Sequence, residues 1–389
     1  MKNISRTVLL LSCVSLFTDM ASEMLYPIMP MYLKSIGFSV LFIGVLEGLA
    51  EATAGLSKGY FGKWSDQTGR RLPFVQIGYL FSAISKPMMG LSALPFWVFG
   101  ARTIDRLGKG IRTGARDAML SDEATTATKA SVFGFHRAMD TLGAVLGPLS
   151  ALIYLNYFPG AYKTLFYIAF FPGLLAILVT FLLKDKIIPS EKKTASFNFF
   201  SAYRYFKDST LSYKKLVGGL LLFAVFNSSD IFLLLQAKQA GLDDRALIGI
   251  YIFYNLIYAL FAYPLGILAD KIGFRKMFSS GILVFAVVYL LIAHCTTVYQ
   301  FLLIFALYGI YAAATEGISK AWISNISEKS DTATAIGVYS GLQSICALAA
   351  SSAAGIIWYN FGSQSTFLIS GIAAFLLAIY FSFFDTKKP

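Results

Sequence analysis

The chain has 389 residues, of which 57% are hydrophobic, 16% aromatic and 14% charged, and its formal net charge is +12. Soluble domains run at roughly 45–50% apolar and about 25% charged, so a soluble enzyme, a disordered chain and a secreted disulfide scaffold do not fit. Three scattered cysteines (Cys13, Cys295, Cys346) and two histidines (His136, His294) supply neither a disulfide framework nor a metal site, and no cofactor or nucleic-acid partner is expected.

A bilayer core takes about 20 apolar residues per helix. Twelve segments of that kind are predicted, which makes the chain an all-α polytopic membrane protein. They span 7–33, 40–61, 73–93, 95–116, 130–156, 163–183, 216–236, 246–268, 276–294, 298–322, 333–358 and 363–384. Span 1 carries Asp19 and Glu23, one turn apart on one face. Span 2 carries Glu47 and Glu51 at the same spacing. Between spans 2 and 3 runs Gly62-Lys63-Trp64-Ser65-Asp66-Gln67-Thr68-Gly69-Arg70-Arg71. Span 3 holds Lys86 beside Pro87. Span 4 holds Arg102, Asp105, Arg106 and Lys109, with Arg112 and Asp117 towards its inner end. Span 5 holds His136, Arg137 and Asp140, then Gly143-Ala144-Val145-Leu146-Gly147-Pro148. The second half is poorer in charge. Span 7 contains the polar run Asn227 to Asp230, and span 10 contains Glu316 and Lys320.

The N-terminus and the even-numbered loops carry most of the Lys and Arg, eight of them between Lys184 and Lys215. The opposite side carries only Lys34, Lys163, Lys238 and Arg245. The positive-inside rule places both termini in the cytoplasm. Span 1 is too long and too acidic for a signal peptide.

The chain repeats internally. At an offset of 204 residues Gly37 falls on Gly241, Gly62 on Gly266, Asp66 on Asp270, Gly69 on Gly273 and Arg71 on Arg275. Further on, an offset of 207 matches Ala130 with Gly337 and Gly134 with Gly341. The expected organisation is a six-helix bundle over 1–184, a basic cytoplasmic linker over 185–215 and a second six-helix bundle over 216–389. Both bundles start inside, so they are parallel repeats about an axis along the membrane normal.

The run Gly62 to Arg71 resembles the signature of the major facilitator superfamily, and Gly266 to Lys276 repeats it between spans 8 and 9. The resemblance implies two six-helix halves and a cytoplasmic gate built on Gly62, Asp66, Gly69, Arg70, Arg71, Asp117, Gly266, Asp270, Gly273 and Arg275. It also implies a charge relay from Asp66 through Arg70 to Asp117. The residue-level alternative is that Lys63, Arg70 and Arg71 only set topology. Two further likenesses are incomplete. Arg102 or Arg106 stands near the helix-4 arginine of proton-using facilitators. The span 5 glycines match the start of the drug/proton antiporter motif without its end.

An ionisable side chain at the bilayer centre costs about 2.5–3.5 kcal/mol on insertion scales. Such groups pair, or face a wet cavity. At 1.5 Å per residue, Asp19 and Lys86 both sit roughly 20 Å above the cytoplasmic end, and Arg106 about 16 Å below the outer one. Ion pairs are therefore expected between Asp19 or Glu23 and Arg102 or Arg106, and between Glu47 or Glu51 and Lys86. Asp19, Glu23, Asp140 and Glu316 are the candidate proton carriers. Glu47, Glu51, Lys86, Arg102, Asp105, Arg106, Lys109, His136, Arg137, Asn227, Asp230 and Lys320 are candidates for the charge network or for substrate contact. Each has a structural alternative, since a buried pair often only orders a bundle. Tyr26, Phe226, Ser228, Ser229, Gln236, Tyr308 and Tyr311 could line a path, although interfacial anchoring or packing explains an isolated Tyr better.

The expected function is proton-coupled secondary transport of a small organic solute by rocker-switch alternating access, in the inner (plasma) membrane, by a monomer. The basic side chains point to an anionic or zwitterionic solute. A multidrug/proton antiporter is the first alternative, and a non-pumping receptor or lipid scramblase the second. No Walker-type phosphate loop and no nucleophile–base pair marks an enzyme.

Overall fold

The computed structural model describes residues 4–26, 28–38, 40–186 and 201–383. For 30, 31, 34, 40–49, 51, 201, 202, 244 and 245 it describes the backbone alone. Among the described residues all regular elements are helical. Span 1 consists of α1 (Arg6–Leu25) and α2 (Met29–Ser35). Spans 2 to 6 are α3 (Val40–Thr68), α4 (Leu72–Leu91), α5 (Pro95–Asp122), α6 (Lys129–Tyr157) and α7 (Tyr162–Thr180). The linker contributes α8 (Ser201–Asp208). Span 7 is divided into α9 (Leu211–Phe226) and α10 (Ile231–Gln239). Spans 8 to 10 are α11 (Asp244–Ile272), α12 (Phe274–Ile292) and α13 (Val298–Ile326). Spans 11 and 12 run together as α14 (Thr332–Phe383), kinked at Gly362, whose φ is 82°. The twelve expected spans are thus all present.

The helix starts follow local chemistry. Ser5 accepts from the Val8 amide at 3.2 Å, Thr210 from Tyr213 at 3.3 Å and Asp243 from Ala246 at 2.8 Å. Each satisfies an amide that the first turn leaves unpaired. The repeated motifs turn on Gly69 and Gly273, both at positive φ (65° and 95°), a region open to glycine at little cost.

Span 1 and span 7 are each interrupted. The first helix stops at Leu25, close to Pro27 in the sequence, and α2 starts at Met29; the gap between α9 and α10 covers 227–230. At the 204-residue offset the second gap falls on 23–26, so the first helix of each half breaks at nearly the same place. In a membrane, unpaired backbone is tolerated only against protein or a wet cavity.

The chain forms two compact units. The first comprises Met1–Glu123, Met139–Asp208 and Ser327–Gly341, and the second Ala124–Ala138, Ser209–Ile326 and Leu342–Pro389. Helix α6 therefore begins in the second unit and ends in the first, and α14 does the reverse. Within the first unit α5 packs on α3 and α4, and α7 on α1 and α4. One end of it closes over Met24, Leu25, Tyr32, Phe38 and Phe166, with Tyr32 donating to the Met89 carbonyl at 3.0 Å. Within the second unit α13 packs on α11 and α12. Phe223, Phe278, Phe285, Tyr289 and Phe381 interlock there.

Close helix crossings in both units rest on glycine. In the first, a Cβ on Gly62 would strike the Ala333 carbonyl, and one on Gly337 the Lys58 carbonyl. In the second, a Cβ on Gly266 would strike the Ala130 carbonyl, and one on Gly134 the Ala262 carbonyl. These are the same two crossings, repeated. They pair Gly134 with Gly337, an offset of 203, so the repeat shifts by one residue from 204 and the expected shift to 207 does not occur. Inserting atoms into such a crossing typically costs about 1–3 kcal/mol. Gly134→Leu should lower unfolding stability by that order in detergent, as should Gly337→Leu. Gly100→Leu, where a Cβ meets nothing within 4 Å, should be neutral in the same melting assay.

Candidate functional site

The repeated motif places a carboxylate on a helix start in each unit. In the first, Asp66 Oδ2 accepts from the Thr334 amide and hydroxyl, both at 2.7 Å, and Oδ1 from the Ala333 amide at 3.4 Å. The first turn of α14 thus finds acceptors for its unpaired amides, where a negative charge also suits the helix dipole. Arg71 reaches Asp66 at 3.5 Å and Asp122 at 3.4 Å, and donates to the Lys329 carbonyl at 2.9 Å. In the second unit Asp270 accepts from the amides of Ala130 and Ser131, both at 2.8 Å, at the start of α6. Lys129 donates to the Ser324 carbonyl at 2.8 Å.

The expected Asp66–Arg70–Asp117 relay is not formed. Arg70 is exposed and the buried Arg71 takes its place. Asp117 pairs with its own neighbour Arg116 at 2.8 Å.

Deeper in the first unit, α5 turns Asp105 towards α4. Lys86 reaches it at 2.7 Å and Arg102 at 3.4 Å, and Lys86 also donates to Ser22 at 3.2 Å. This corrects the expected pairing of Arg102 with Asp19 or Glu23. Arg102 and Asp105 lie three residues apart on one helix face and meet locally. Lys86 is held by Asp105; Glu47 and Glu51 lie in α3, and their side chains are outside the described residues. Asp19 instead lies within hydrogen-bonding reach of Asp140 on α6, with Glu23 and Lys109 in electrostatic range. Glu23 interacts over distance with Lys109 and Arg106. Ser15 donates a short hydrogen bond to Asp140, and Arg116 donates to Ser15 at 3.4 Å. A polar chain therefore runs Asp19, Asp140, Ser15, Arg116, Asp117. His136 is buried, Arg106 half-buried and Lys109 exposed.

In the second unit Arg137 of α6 pairs with Glu316 of α13, and its Nε donates to the Tyr258 hydroxyl at 2.6 Å. Both charged side chains are about one-third exposed (31% and 39%). Lys320, the expected neighbour of Glu316, is half-buried on the same helix. The polar run of span 7 is the helix break itself. There Asn227 donates to the Tyr311 hydroxyl at 2.9 Å, Ser228 meets the Tyr289 hydroxyl at 3.4 Å and Tyr308 donates to Asp230 at 2.6 Å. Arg275, half-buried, stands at the start of α12.

Sequence reasoning missed two contributors. Tyr203 of α8 donates to the Leu56 carbonyl at 3.0 Å, and its ring lies over Gly59 and Gly341. The linker thus wedges onto α3 and the start of α14. Only the glycines facing it hinted at a bulky insert. Ser15 carried no signal beyond being a polar residue in an apolar helix.

Asp66 lies beyond span 2, and burial pushes its carboxyl up to about 7, with Arg71 and Thr334 pulling it back towards the charged form. Between about pH 4 and 7 the folded state then holds a proton that the unfolded state has lost. This group's contribution is therefore largest below that window and falls as pH rises through it, by at most about 1.4 kcal/mol per pH unit. Melting of wild type and Asp66→Asn across pH 4–8 checks this. The Asn variant should lack that slope.

A family model described as Major Facilitator Superfamily matches residues 11–254 and 216–389. An uncharacterised MFS-type transporter of Methanocaldococcus jannaschii, MJ1317, is 33% identical over 98% of this chain and 96% of its own. The Multidrug resistance protein 1 of Bacillus subtilis is 24% identical over 38% of this chain and 37% of its own. Among solved structures, the human organic anion transporter MFSD10 (TETRAN) superposes with a TM-score of 0.83 at 17% identity, over 97% of this chain and 99% of its own. A double-Trp mutant of XylE gives 0.73 at 15% identity, over 96% and 94%. At those identities the two structures speak for the fold alone. With its whole length matched by the family model and by a relative of equal extent, the chain belongs to the major facilitator superfamily and is an integral membrane transporter.

Proposed function

We propose that this transporter is proton-coupled, moves a small organic solute and works by rocker-switch alternating access. The observation that carries the coupling is the approach of Asp19 to Asp140. Two carboxyls within hydrogen-bonding reach share a bond only when one holds a proton. The Ser15–Arg116–Asp117 chain continues from this pair towards the inner end of α5. Arg116 offers a place for the negative charge to be met once the proton leaves.

Alternating access needs contacts that break in one conformation. The Asp66 and Asp270 seats fit that role, because each joins a loop of one half to a helix start of the other. Lys86 and Arg102 are taken by Asp105, and Arg137 by Glu316. Three of the basic side chains that pointed to an anionic solute are thereby engaged by acids of the protein itself.

The test uses purified protein in proteoliposomes loaded with a pH-sensitive dye, screened with pooled organic acids, peptides, chelates and cationic drugs. Solute-dependent proton flux is expected in wild type, and a fall of at least tenfold in Asp19→Asn and Asp140→Asn. Solute movement that ignores the pH gradient and survives both changes contradicts coupling and leaves a uniporter.

A further inference from the structure

We infer that the cleft between the start of α12 and the end of α13 is a binding site for a phosphate group, borne by an anionic phospholipid headgroup or free in solution. The site is separate from the coupling proposed above and does not depend on it.

The cleft belongs to the second unit. Gly273, Arg275 and Lys276 line it from the start of α12, and Trp322, Asn325 and Ile326 from the end of α13. Its volume is about 240 Å³. The internal repeat supplies the comparison. At an offset of 204, Arg275 and Lys276 correspond to Arg71 and Leu72. At 203, Trp322, Asn325 and Ile326 correspond to Met119, Asp122 and Glu123. Arg71, Met119, Asp122 and Glu123 line the equivalent cleft of the first unit. There the protein supplies its own anions. Asp185 accepts from the amides of Arg71 and Leu72, both at 3.2 Å. Arg71 reaches Asp122 at 3.4 Å, and Lys186 pairs with Glu123. Three acids thus meet three cations, Arg71, Lys184 and Lys186, and about 10 Å³ remains, room for about one water.

The second cleft keeps the cationic side without the acids. Asn325 stands in the place of Asp122 and Ile326 in that of Glu123, while Lys276 adds a cation where the first unit has Leu72. Among the described residues no acid lines it. Gly273 precedes α12 and has no side chain to cap it, and the first turn holds no acid. The amides of Phe274, Arg275 and Lys276 lie ahead of the first helical bond, from Met277 to the Gly273 carbonyl. Two of these correspond to the amides that hold a carboxylate in the first unit. Cationic side chains beside a helix start are the chemistry of phosphate binding. A carboxylate fills the smaller cleft; the wider one suits a tetrahedral group whose several oxygens reach both amides and side chains. Asn325 Oδ1 is buried without a hydrogen-bond partner among the described residues, and could accept from a headgroup hydroxyl. The apolar side of the lining favours the lipid-borne form. Phe274 stacks on Trp322 at 6.5 Å. Ile272 at the rim and Leu268, one turn back along α11, are exposed. Basic pockets at the edge of membrane spans take such headgroups.

Native mass spectrometry of the detergent-purified full chain, titrated with dioctanoyl phosphatidylglycerol, tests this, with dioctanoylglycerol as the control that lacks the phosphate. Equilibrium dialysis with labelled inorganic phosphate is the second arm. The phospholipid should bind and dioctanoylglycerol should not. Binding of the lipid alone identifies a headgroup site, and binding of inorganic phosphate a free-phosphate one. Asn325→Asp, which restores the first unit's acid, should weaken binding at least tenfold. Lys276→Gln should weaken it several-fold, and decides the matter at an exposed position should Asn325→Asp fail to fold. Lys271→Gln, an exposed cation outside the cleft, should leave binding within twofold. Absence of binding in both arms, equal binding of dioctanoylglycerol, unchanged binding in Asn325→Asp or Lys276→Gln, or equal weakening by Lys271→Gln overturns the assignment. So does binding seen only in Asp385→Asn. Asp385 follows span 12 as Asp185 follows span 6, and that result would assign the cleft to the chain's own tail.

Discussion

A carboxylate seated on the open amides of a helix start is the interaction on which the rest of this structure depends. It occurs twice, as Asp66 on the first turn of α14 and as Asp270 on the first turn of α6. Each seat lies beside a glycine crossing, Gly62 against Ala333 and Gly266 against Ala130, where backbones approach too closely for a side chain. The geometry explains the composition of the motif. Glycine brings the helix start within reach, aspartate satisfies its amides, and a following glycine at positive φ turns the chain. It also explains why each compact unit borrows the opening turns of a helix whose remainder lies in the other.

The two seats are not equivalent in strength. Asp66 is buried, carries a hydroxyl donor from Thr334 and has Arg71 beside it. Asp270 is half-buried and takes two amides. Tyr203 adds a wedge from the linker over Gly59 and Gly341 on the Asp66 side. The first seat is thus reinforced by a segment that ties the halves together in sequence. The intramembrane charges are equally uneven. The first unit gathers Lys86 and Arg102 on one aspartate, whereas the second holds Asp230 against the Tyr308 phenol.

Much of this was legible in the sequence. The spans followed from hydropathy and the repeat from the Gly62 and Gly266 blocks, because these depend on composition and on short-range spacing. The polar run at 227–230 stood out for the reason it now breaks a helix: four polar residues cannot face lipid. Partner choice was not legible. Arg70 and Arg71 are adjacent and chemically alike, and only the turn at Gly69 decides which one points inward. Asp105 was one of several acids until the rotation of α5 aimed it at Lys86. Approximate depth aligned Asp19 with Lys86 and Arg106, but rotation about the helix axis turned it to Asp140. The later register of the repeat was misread because Gly337 and Gly341 both offer a match to Gly134, and only the crossing with Lys58 selects the first.

The central claim is that the Asp66 seat opens and closes. Spin labels on Arg70→Cys and Glu328→Cys, both exposed and flanking the seat, report it directly by pulsed electron paramagnetic resonance in nanodiscs. The account predicts a short and a long distance in the otherwise unchanged protein, with Asp66→Ala shifting most molecules to the long one. A single short distance, the same with and without Asp66, would contradict it.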